Sequence, residues 1–219
     1  MIRLPSATRL PAPRQIGRRS LLLAGLLLPL AAIRPALAAN PAAAANFIQQ
    51  LGQYTLGILQ QPLSLPQREA QLRDLLRQGF DLPFIARFVL GRAYNGLTPE
   101  QAAEYQQVFS DFVLRSYARR LAGFQASGFS ILGTRAVGDS DTEVATRIDP
   151  QNGQPIRCDW RVREFAGPRL GIIDVTVEGV SMALTQRDEF IAVASSRGVG
   201  DLIGVLRARA DRESISAKR

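Results

Sequence analysis

Two stretches in the C-terminal half of this chain alternate strictly between apolar and polar side chains. The apolar positions are Ile156, Cys158, Trp160 and Val162, then Ile173, Val175 and Val177, and the polar positions between them are Arg157, Asp159, Arg161, Arg163, Asp174, Thr176 and Glu178. Successive side chains of a strand point to opposite faces, so the alternation predicts two strands of a sheet with one apolar and one wet face. Arginines on the first strand and carboxylates on the second favour their pairing as neighbours.

Two further strands precede this pair, and short links join all four. The links GDSD, PQNGQ and AGP are rich in the residues that form tight turns. Strands joined by such short links run antiparallel, which predicts a four-stranded antiparallel meander. The predicted strands are residues 129–137, 142–149, 155–165 and 169–178.

Helix-start signals lie on both sides of the predicted sheet. The clearest is Thr98-Pro99-Glu100-Gln101, where the capping residue, the proline in the first turn and the glutamine three residues after the cap all agree. Ser64 and Asp81 are further capping residues. Helices are predicted over residues 46–60, 65–78, 82–90, 99–123, 181–197 and 201–210.

Helices before and after one sheet predict a single α+β domain over residues 39–210. The charged tail, residues 211–219, is predicted to be disordered.

Residues 1–38 have the pattern of a cleaved export signal. They contain six arginines and no acidic residue, then an apolar run from Leu21 to Leu30, then Ala36-Leu37-Ala38 as a small-residue cleavage site near Ala38. The run is too short for a membrane span. The pair Arg18-Arg19 is compatible with twin-arginine export, and the ordinary secretory route stays equally open.

The leader accounts for most of the net charge. The whole chain has 27 basic and 19 acidic residues, a net charge of +8. Without the six leader arginines 21 basic residues remain against 19 acidic ones, a net charge of +2. The basic character is therefore an export feature, and no nucleic-acid partner is expected.

The chain contains no histidine, which removes the commonest general base and metal ligand. No metal-site, nucleotide-binding or catalytic-triad motif is present, so no cofactor is expected and an enzyme is disfavoured. Asp139, Asp141 and Glu143 are interpreted as a solvated turn rather than a Ca²⁺ site. The lone Cys158 is predicted to be a small buried apolar residue.

Aromatic and aliphatic side chains on the predicted helices and strands are the candidate binding residues. Periodicity alone leaves two alternatives open, a closed core and an apolar site between the helices and the sheet. The candidates are Phe88, Tyr94, Tyr105, Phe109, Phe112, Tyr117, Trp160, Ile173, Val175 and Val177.

Three separated segments carry a family resemblance. The sequences FDLPFIARFVLGRAY, FSDFVLRSYARRL and IIDVTVEGVSMALTQRDEF occur in that order, and residues 45–207 as a whole resemble the MlaC family of periplasmic phospholipid-binding proteins, the toluene-tolerance auxiliary family. The resemblance implies that the domain encloses an apolar lipid pocket, with the candidate residues holding the two acyl chains of a phospholipid.

The resemblance also implies a role and partners. A soluble periplasmic carrier of this family exchanges lipid with an inner-membrane ABC transporter bearing an MCE-domain protein and with an outer-membrane lipoprotein complex, and so maintains outer-membrane lipid asymmetry. Arg87, Arg92, Arg119 and Arg120 are then candidates for docking or for contact with a lipid phosphate.

Three alternatives remain beside that role. A hopanoid-associated (HpnM-like) branch of the same family would carry a polycyclic ligand, an enzyme on an α+β cone would need an ionisable group in the pocket, and a structural adaptor would have a closed core.

Overall fold

The computed structural model describes residues 39–165 and 169–216, with side chains as far as Arg212. The predicted leader, residues 1–38, lies outside the described residues. The helices are α1 (Pro41–Gln60), α2 (Leu65–Gly79), α3 (Leu82–Leu90), α4 (Pro99–Ala122), α5 (Met182–Arg197) and α6 (Val199–Ser216), with a 3₁₀ helix at Gly91–Gly96. The strands are β1 (Ala126–Val137), β2 (Asp141–Pro150), β3 (Ile156–Glu164), β4 (Leu170–Val177) and β5 (Val180–Ser181).

The predicted α+β class and the antiparallel meander are confirmed. Within the described ranges the strands form one sheet in the order β1-β2-β3-β4-β5, and all neighbours are antiparallel. The fifth strand was not predicted, because two residues are too short to show a period. It forms a tight hairpin with β4 through Glu178 and Gly179, whose φ angles of 47° and 83° are those of a two-residue turn.

The predicted helix caps are present. The Thr98 amide donates to the side chain of Gln101 at 3.0 Å, and the Gln101 amide donates to the Thr98 hydroxyl at 3.3 Å. Asp81 accepts from the amide of Phe84 at 2.8 Å, and Ser181 caps α5 in the same way. The first amides of a helix have no carbonyl partner in a preceding turn, and these side chains accept hydrogen bonds from them instead.

Two helices are longer than the sequence predicted. Helix α1 begins at Pro41 rather than residue 46, because Asn40 caps it and the alanines that follow are strong helix formers. Helix α6 begins at Val199 and continues to Ser216, so the predicted disordered tail from residue 211 is helical for six of its residues.

A β-bulge interrupts the pairing of β3 with β4. Trp160 lies opposite Val175 and Arg161 opposite Asp174, but Val162 lies opposite Ile172, so Ile173 is the extra residue. The bulge breaks the strict alternation predicted for this strand, and both Ile172 and Ile173 are buried.

Helix α3 is hydrogen-bonded to the sheet at the point where it begins. The Asp81 amide donates to the carbonyl of Ile172 at 2.9 Å, and the Asp81 carboxylate accepts from Arg169 at 2.6 Å. Gly171 passes so close that a methyl group there would lie 3.3 Å from the side chain of Asp81. Asp81 therefore caps α3 and holds it against β4, and we call this contact the α3–β4 attachment.

The buried apolar residues of the described chain form separate clusters. The largest lies among α3, α4, α5 and α6, and includes Tyr105, Phe109 and Phe190. A second lies between α1 and the sheet, around Ile48 and Ile172. The cluster around α4 contains no strand residue, so α4 does not pack directly into the sheet's core.

One buried carboxylate on β2 binds two arginines of the neighbouring strand β3. Asp141 accepts from Arg163 at 2.6 Å and from Arg161 at 2.8 Å, and it is only 2% exposed. Burial alone would raise the pKa of Asp141, but the hydrogen bonds and charges of Arg163 and Arg161 together lower the pKa below its ordinary value. The ionised form is thus favoured in the fold.

We expect Asp141→Asn to lower the free energy of unfolding by about 2 kcal/mol at pH 7. Because the folded-state pKa is depressed, the contribution is complete above the unfolded-state pKa of about 4 and is lost as pH falls through the folded value. Urea unfolding at pH 7 and pH 3 measures this, and the difference between wild type and variant should shrink at the lower pH. Asp74→Asn, in an exposed pair with Arg77, is the control and should change stability by less than about 0.5 kcal/mol. An Asp141→Asn effect of equal size at both pH values would contradict the assignment.

Candidate functional site

An apolar cavity of about 220 Å³ lies between α4 and the inner face of the sheet. We call it the main cavity. Almost all of its walls are aliphatic or aromatic. They come from α2 and its end (Leu76, Phe80), α3 (Leu82, Ile85), α4 (Phe109, Val113, Leu114, Tyr117, Leu121), the strands (Ile148, Cys158, Trp160, Ile173, Asp174, Val175, Val177) and α5 (Met182, Ala183, Gln186).

A smaller apolar space of about 90 Å³, the side cavity, lies beside it under α1. Residues of α1 and α2 enclose the side cavity together with Phe124 and Phe129. The two cavities share the walls Leu76, Phe80, Leu121, Ile148 and Trp160. The site is therefore one apolar interior in two compartments, separated only by side chains.

Trp160 stands between the compartments in a defined orientation. Its indole nitrogen donates to the Thr146 hydroxyl at 2.9 Å, and that hydroxyl donates to the carbonyl of Cys158 at 2.8 Å. Thr146 is fully buried, so these bonds remove the polar atoms from the cavity wall. The ring is left as an apolar surface that both compartments contact.

Close approach of α1 to the sheet bounds the side cavity. A methyl group added at Gly52 would lie 2.4 Å from the ring of Phe129, closer than any side chain tolerates. Only glycine lets the helix and β1 approach to this distance.

Three ionisable side chains, Asp174, Tyr117 and Cys158, border the main cavity. Asp174 lies opposite Arg161 in the strand register, as predicted for the wet face, but its carboxylate accepts from the Ala183 amide at 3.0 Å and from the Ser181 hydroxyl at the border of the cavity, where pairing with arginines was predicted. It thus helps to fix the start of α5. Burial raises the pKa of Tyr117, and burial together with Glu178 and Asp159 raises the pKa of Cys158 to about 11, so both are neutral at pH 7.

The structure brings together six of the ten predicted site residues. Phe109, Tyr117, Trp160, Ile173, Val175 and Val177 all line the main cavity. Successive cavity residues of α4 lie four positions apart at Phe109, Val113, Tyr117 and Leu121, which is one face of a helix.

The other four predicted residues lie outside the main cavity. Tyr105 is fully buried in the helical cluster, where its hydroxyl donates to the carbonyl of Ala86 at 3.0 Å, and Phe112 packs there against Phe190. Phe88 and Tyr94 lie at the edge of the same cluster, beneath the guanidinium groups of Arg187 and Arg87. Helical spacing identifies them as inward-facing but does not say which neighbour they meet.

Sequence reasoning also missed several wall residues. The predicted set is mostly aromatic, and it therefore lacks aliphatic wall residues such as Leu76, Ile85 and Val113. The four-residue spacing along α4 was the signal that would have added Val113 and Leu121.

The interpretation of residues 139–143 as a solvated turn is wrong for Asp141, which is buried at the start of β2 and paired with Arg161 and Arg163. Among the described residues, no group of three or more histidine, cysteine or carboxylate side chains could hold a metal ion. Over the same part of the chain, no helix combines the length and apolar character that a membrane crossing needs.

The fold and the cavity define a binding or transport protein with an internal apolar site. The chain belongs to the MlaC protein family, whose sequence profile matches residues 49–208. A solved structure of a phospholipid-binding protein from Ralstonia solanacearum, in complex with a phospholipid, is similar to it. The two share 25% sequence identity and a TM-score of 0.68, over 78% of this chain and 98% of that one.

We expect the Cys158 thiol to react slowly with iodoacetamide in the folded protein. With a pKa of about 11, its thiolate fraction at pH 8 is about 0.1%, against roughly a quarter for an ordinary cysteine. Alkylation followed by mass spectrometry should be at least ~100-fold slower than in the urea-unfolded chain, and should rise about tenfold per pH unit between pH 8 and 10. Equal rates in the folded and unfolded chain would show that Cys158 is exposed.

Proposed function

We propose that this protein is a phospholipid carrier that encloses two acyl chains between its sheet and its helices. The observation that supports this most strongly is the apolar interior in two compartments, divided by Trp160, in a member of the MlaC family. The phospholipid bound by the similar Ralstonia solanacearum protein agrees with this cargo. One chain in each compartment is the arrangement that we propose.

The physical need for such a carrier is large. Transfer of an acyl chain from water to an apolar site is worth ~0.8 kcal/mol per CH₂ group, so two chains with ~30 such groups amount to roughly 24 kcal/mol. This is the barrier that holds a phospholipid in its membrane. A protein that covers the tails lowers this free-energy barrier without making or breaking a covalent bond. The absence of histidine from the sequence agrees with a carrier rather than an enzyme.

Loading requires the walls to separate. The main and side cavities, about 220 and about 90 Å³, are together at the lower limit of sites that hold drug-sized ligands, ~300–1,000 Å³. Helix α1 packs directly on the sheet and α3 is bound to it at the α3–β4 attachment, whereas α4 meets the sheet only across the cavity. Outward movement of α4 is therefore the motion that admits lipid in this proposal.

The proposed setting is the periplasm, after cleavage of the leader near Ala38. There the carrier exchanges lipid with an inner-membrane ABC transporter that has an MCE-domain protein, and with an outer-membrane lipoprotein complex. Its role is to maintain the lipid asymmetry of the outer membrane. Family membership and the leader-like pattern of residues 1–38 support this setting.

Native mass spectrometry of protein purified from a periplasmic extract without detergent tests the cargo. We expect a bound mass equal to that of a diacyl phospholipid, confirmed by lipid extraction. A polycyclic hopanoid mass would instead assign the chain to the hopanoid branch, and a folded protein with no bound lipid would contradict the proposal.

The same measurement on Val175→Trp tests the site. An indole at this wall position fills part of the main cavity, and overpacking by ~1–3 kcal/mol should reduce lipid per protein about tenfold or more. Val180→Trp is the matched control, since Val180 is exposed and outside the cavity. Thermal unfolding establishes that both variants fold. Full lipid loading of a folded Val175→Trp would show that the main cavity is not the site.

Tryptophan quenching tests the placement of the acyl chains. Trp160 is the only tryptophan of the chain and contacts both compartments. Phospholipid with brominated acyl chains should therefore quench its fluorescence at one lipid per protein, while the unbrominated lipid should not. A double variant, Trp160→Phe with Leu132→Trp, moves the reporter to an exposed position on β1 and should not be quenched. Equal quenching of both proteins would contradict an internal site.

A further inference from the structure

A second concave site, lined by charged as well as apolar side chains, adjoins the main cavity. It is a groove of about 500 Å³ formed by α4, α5 and α6. Tyr117, Met182 and Gln186 line both the groove and the main cavity. A molecule with its apolar part in the cavity thus has this groove beside it.

The groove is strongly basic. Arg120 enters it from α4, and Arg209 and Arg212 enter it from the last turns of α6. Among the described side chains, the carboxylate that lines the groove is Glu189, so three positive charges face one negative charge there, a net of +2. We call this site the basic groove.

Glu189 does not neutralise the three arginines of the groove. Glu189 lies 3.4 Å from Arg209, in a pair in which both side chains are about half exposed. Such a pair is weak and readily exchanged for another anion. Arg120 lies over the ring of Tyr117 at 5.7 Å, so its guanidinium is at the boundary between the groove and the main cavity.

Neutral hydrogen-bonding side chains and Phe112 also line the groove. Ser116 on α4 and Thr185 and Gln186 on α5 contribute hydroxyl and amide groups. Guanidinium groups with neighbouring hydroxyls suit a phosphate, whose oxygens accept several charge-assisted hydrogen bonds.

We propose that the basic groove binds the headgroup of an anionic phospholipid, of the phosphatidylglycerol or cardiolipin type, whose acyl chains lie in the main cavity. This inference rests on the proposed lipid-carrier function and adds headgroup selectivity to it. A phosphatidylethanolamine headgroup is neutral overall, because its ammonium cancels its phosphate. A net charge of +2 therefore favours the anionic lipids.

Tethering explains why a lipid headgroup, rather than a free phosphate, is the ligand. The guanidinium groups are at the exposed rim, where each contact with an anion is weak. Acyl chains bound in the adjoining main cavity keep the headgroup at a high effective concentration, so weak contacts suffice to discriminate between headgroups.

A competition experiment tests the proposal on the full-length mature protein. Lipid-stripped protein is mixed with vesicles of equimolar phosphatidylglycerol and phosphatidylethanolamine with identical acyl chains, re-isolated, and analysed by native mass spectrometry. We expect wild type to prefer phosphatidylglycerol about fivefold, and Arg209→Gln/Arg212→Gln to reduce the preference to about one.

The control variant Arg77→Gln/Arg135→Gln removes the same charge from exposed ion pairs outside the groove. It should retain the wild-type preference, which separates the groove from general attraction to anionic vesicles. Urea unfolding establishes that both double variants are as stable as wild type.

The outcomes distinguish the two levels of the proposal. A groove variant that keeps the fivefold preference, or a control variant that loses it, would overturn the headgroup site. Loss of the preference on addition of millimolar sn-glycerol 3-phosphate would assign the groove to a free phosphate and also overturn it. Wild type that takes up neither lipid would instead overturn the carrier function itself.

Discussion

The α3–β4 attachment is the contact on which the rest of the molecule depends. Asp81 uses its amide to bind strand β4 and its carboxylate to cap α3 and hold Arg169. One buried residue thus fixes the position at which α3 leaves the sheet. Helix α1 packs directly against the sheet and α4 belongs to the helical cluster, so the space between α4 and the strands stays apolar and incompletely filled.

The chemistry of that space matches an amphipathic cargo. Polar atoms near the cavity are bound to the protein itself, as in the chain from Trp160 to Thr146 to the carbonyl of Cys158, so the interior offers only dispersion and burial. The charged side chains lie in the adjoining basic groove. The apolar interior suits the acyl tails of a phospholipid, and the positive groove beside it suits the phosphate. The two sites therefore match the two parts of one ligand.

Local rules predicted the elements well, and errors followed from the limits of those rules. Caps at Ser64, Asp81, Thr98 and Ser181 were identified because each depends on a few adjacent residues. The two-residue strand β5, the 3₁₀ helix and the bulge at Ile173 were missed, because none produces a period. The Asp174 carboxylate was expected to pair with arginines, but the turn into α5 brings the Ser181 hydroxyl and the Ala183 amide to it instead.

The sequence by itself determined the fold class, the absence of histidine chemistry and the apolar face of each element. These are properties of spacing and composition, which need no knowledge of neighbours. Only the tertiary structure decided that Phe109 and Tyr117 line the cavity while Tyr105 and Phe112 pack within the helical cluster. All four lie on the apolar side of one helix, and what separates them is which element covers each turn of α4. That depends on contacts between residues far apart in the chain, as does the meeting of Arg120 with Arg209 and Arg212 in one groove.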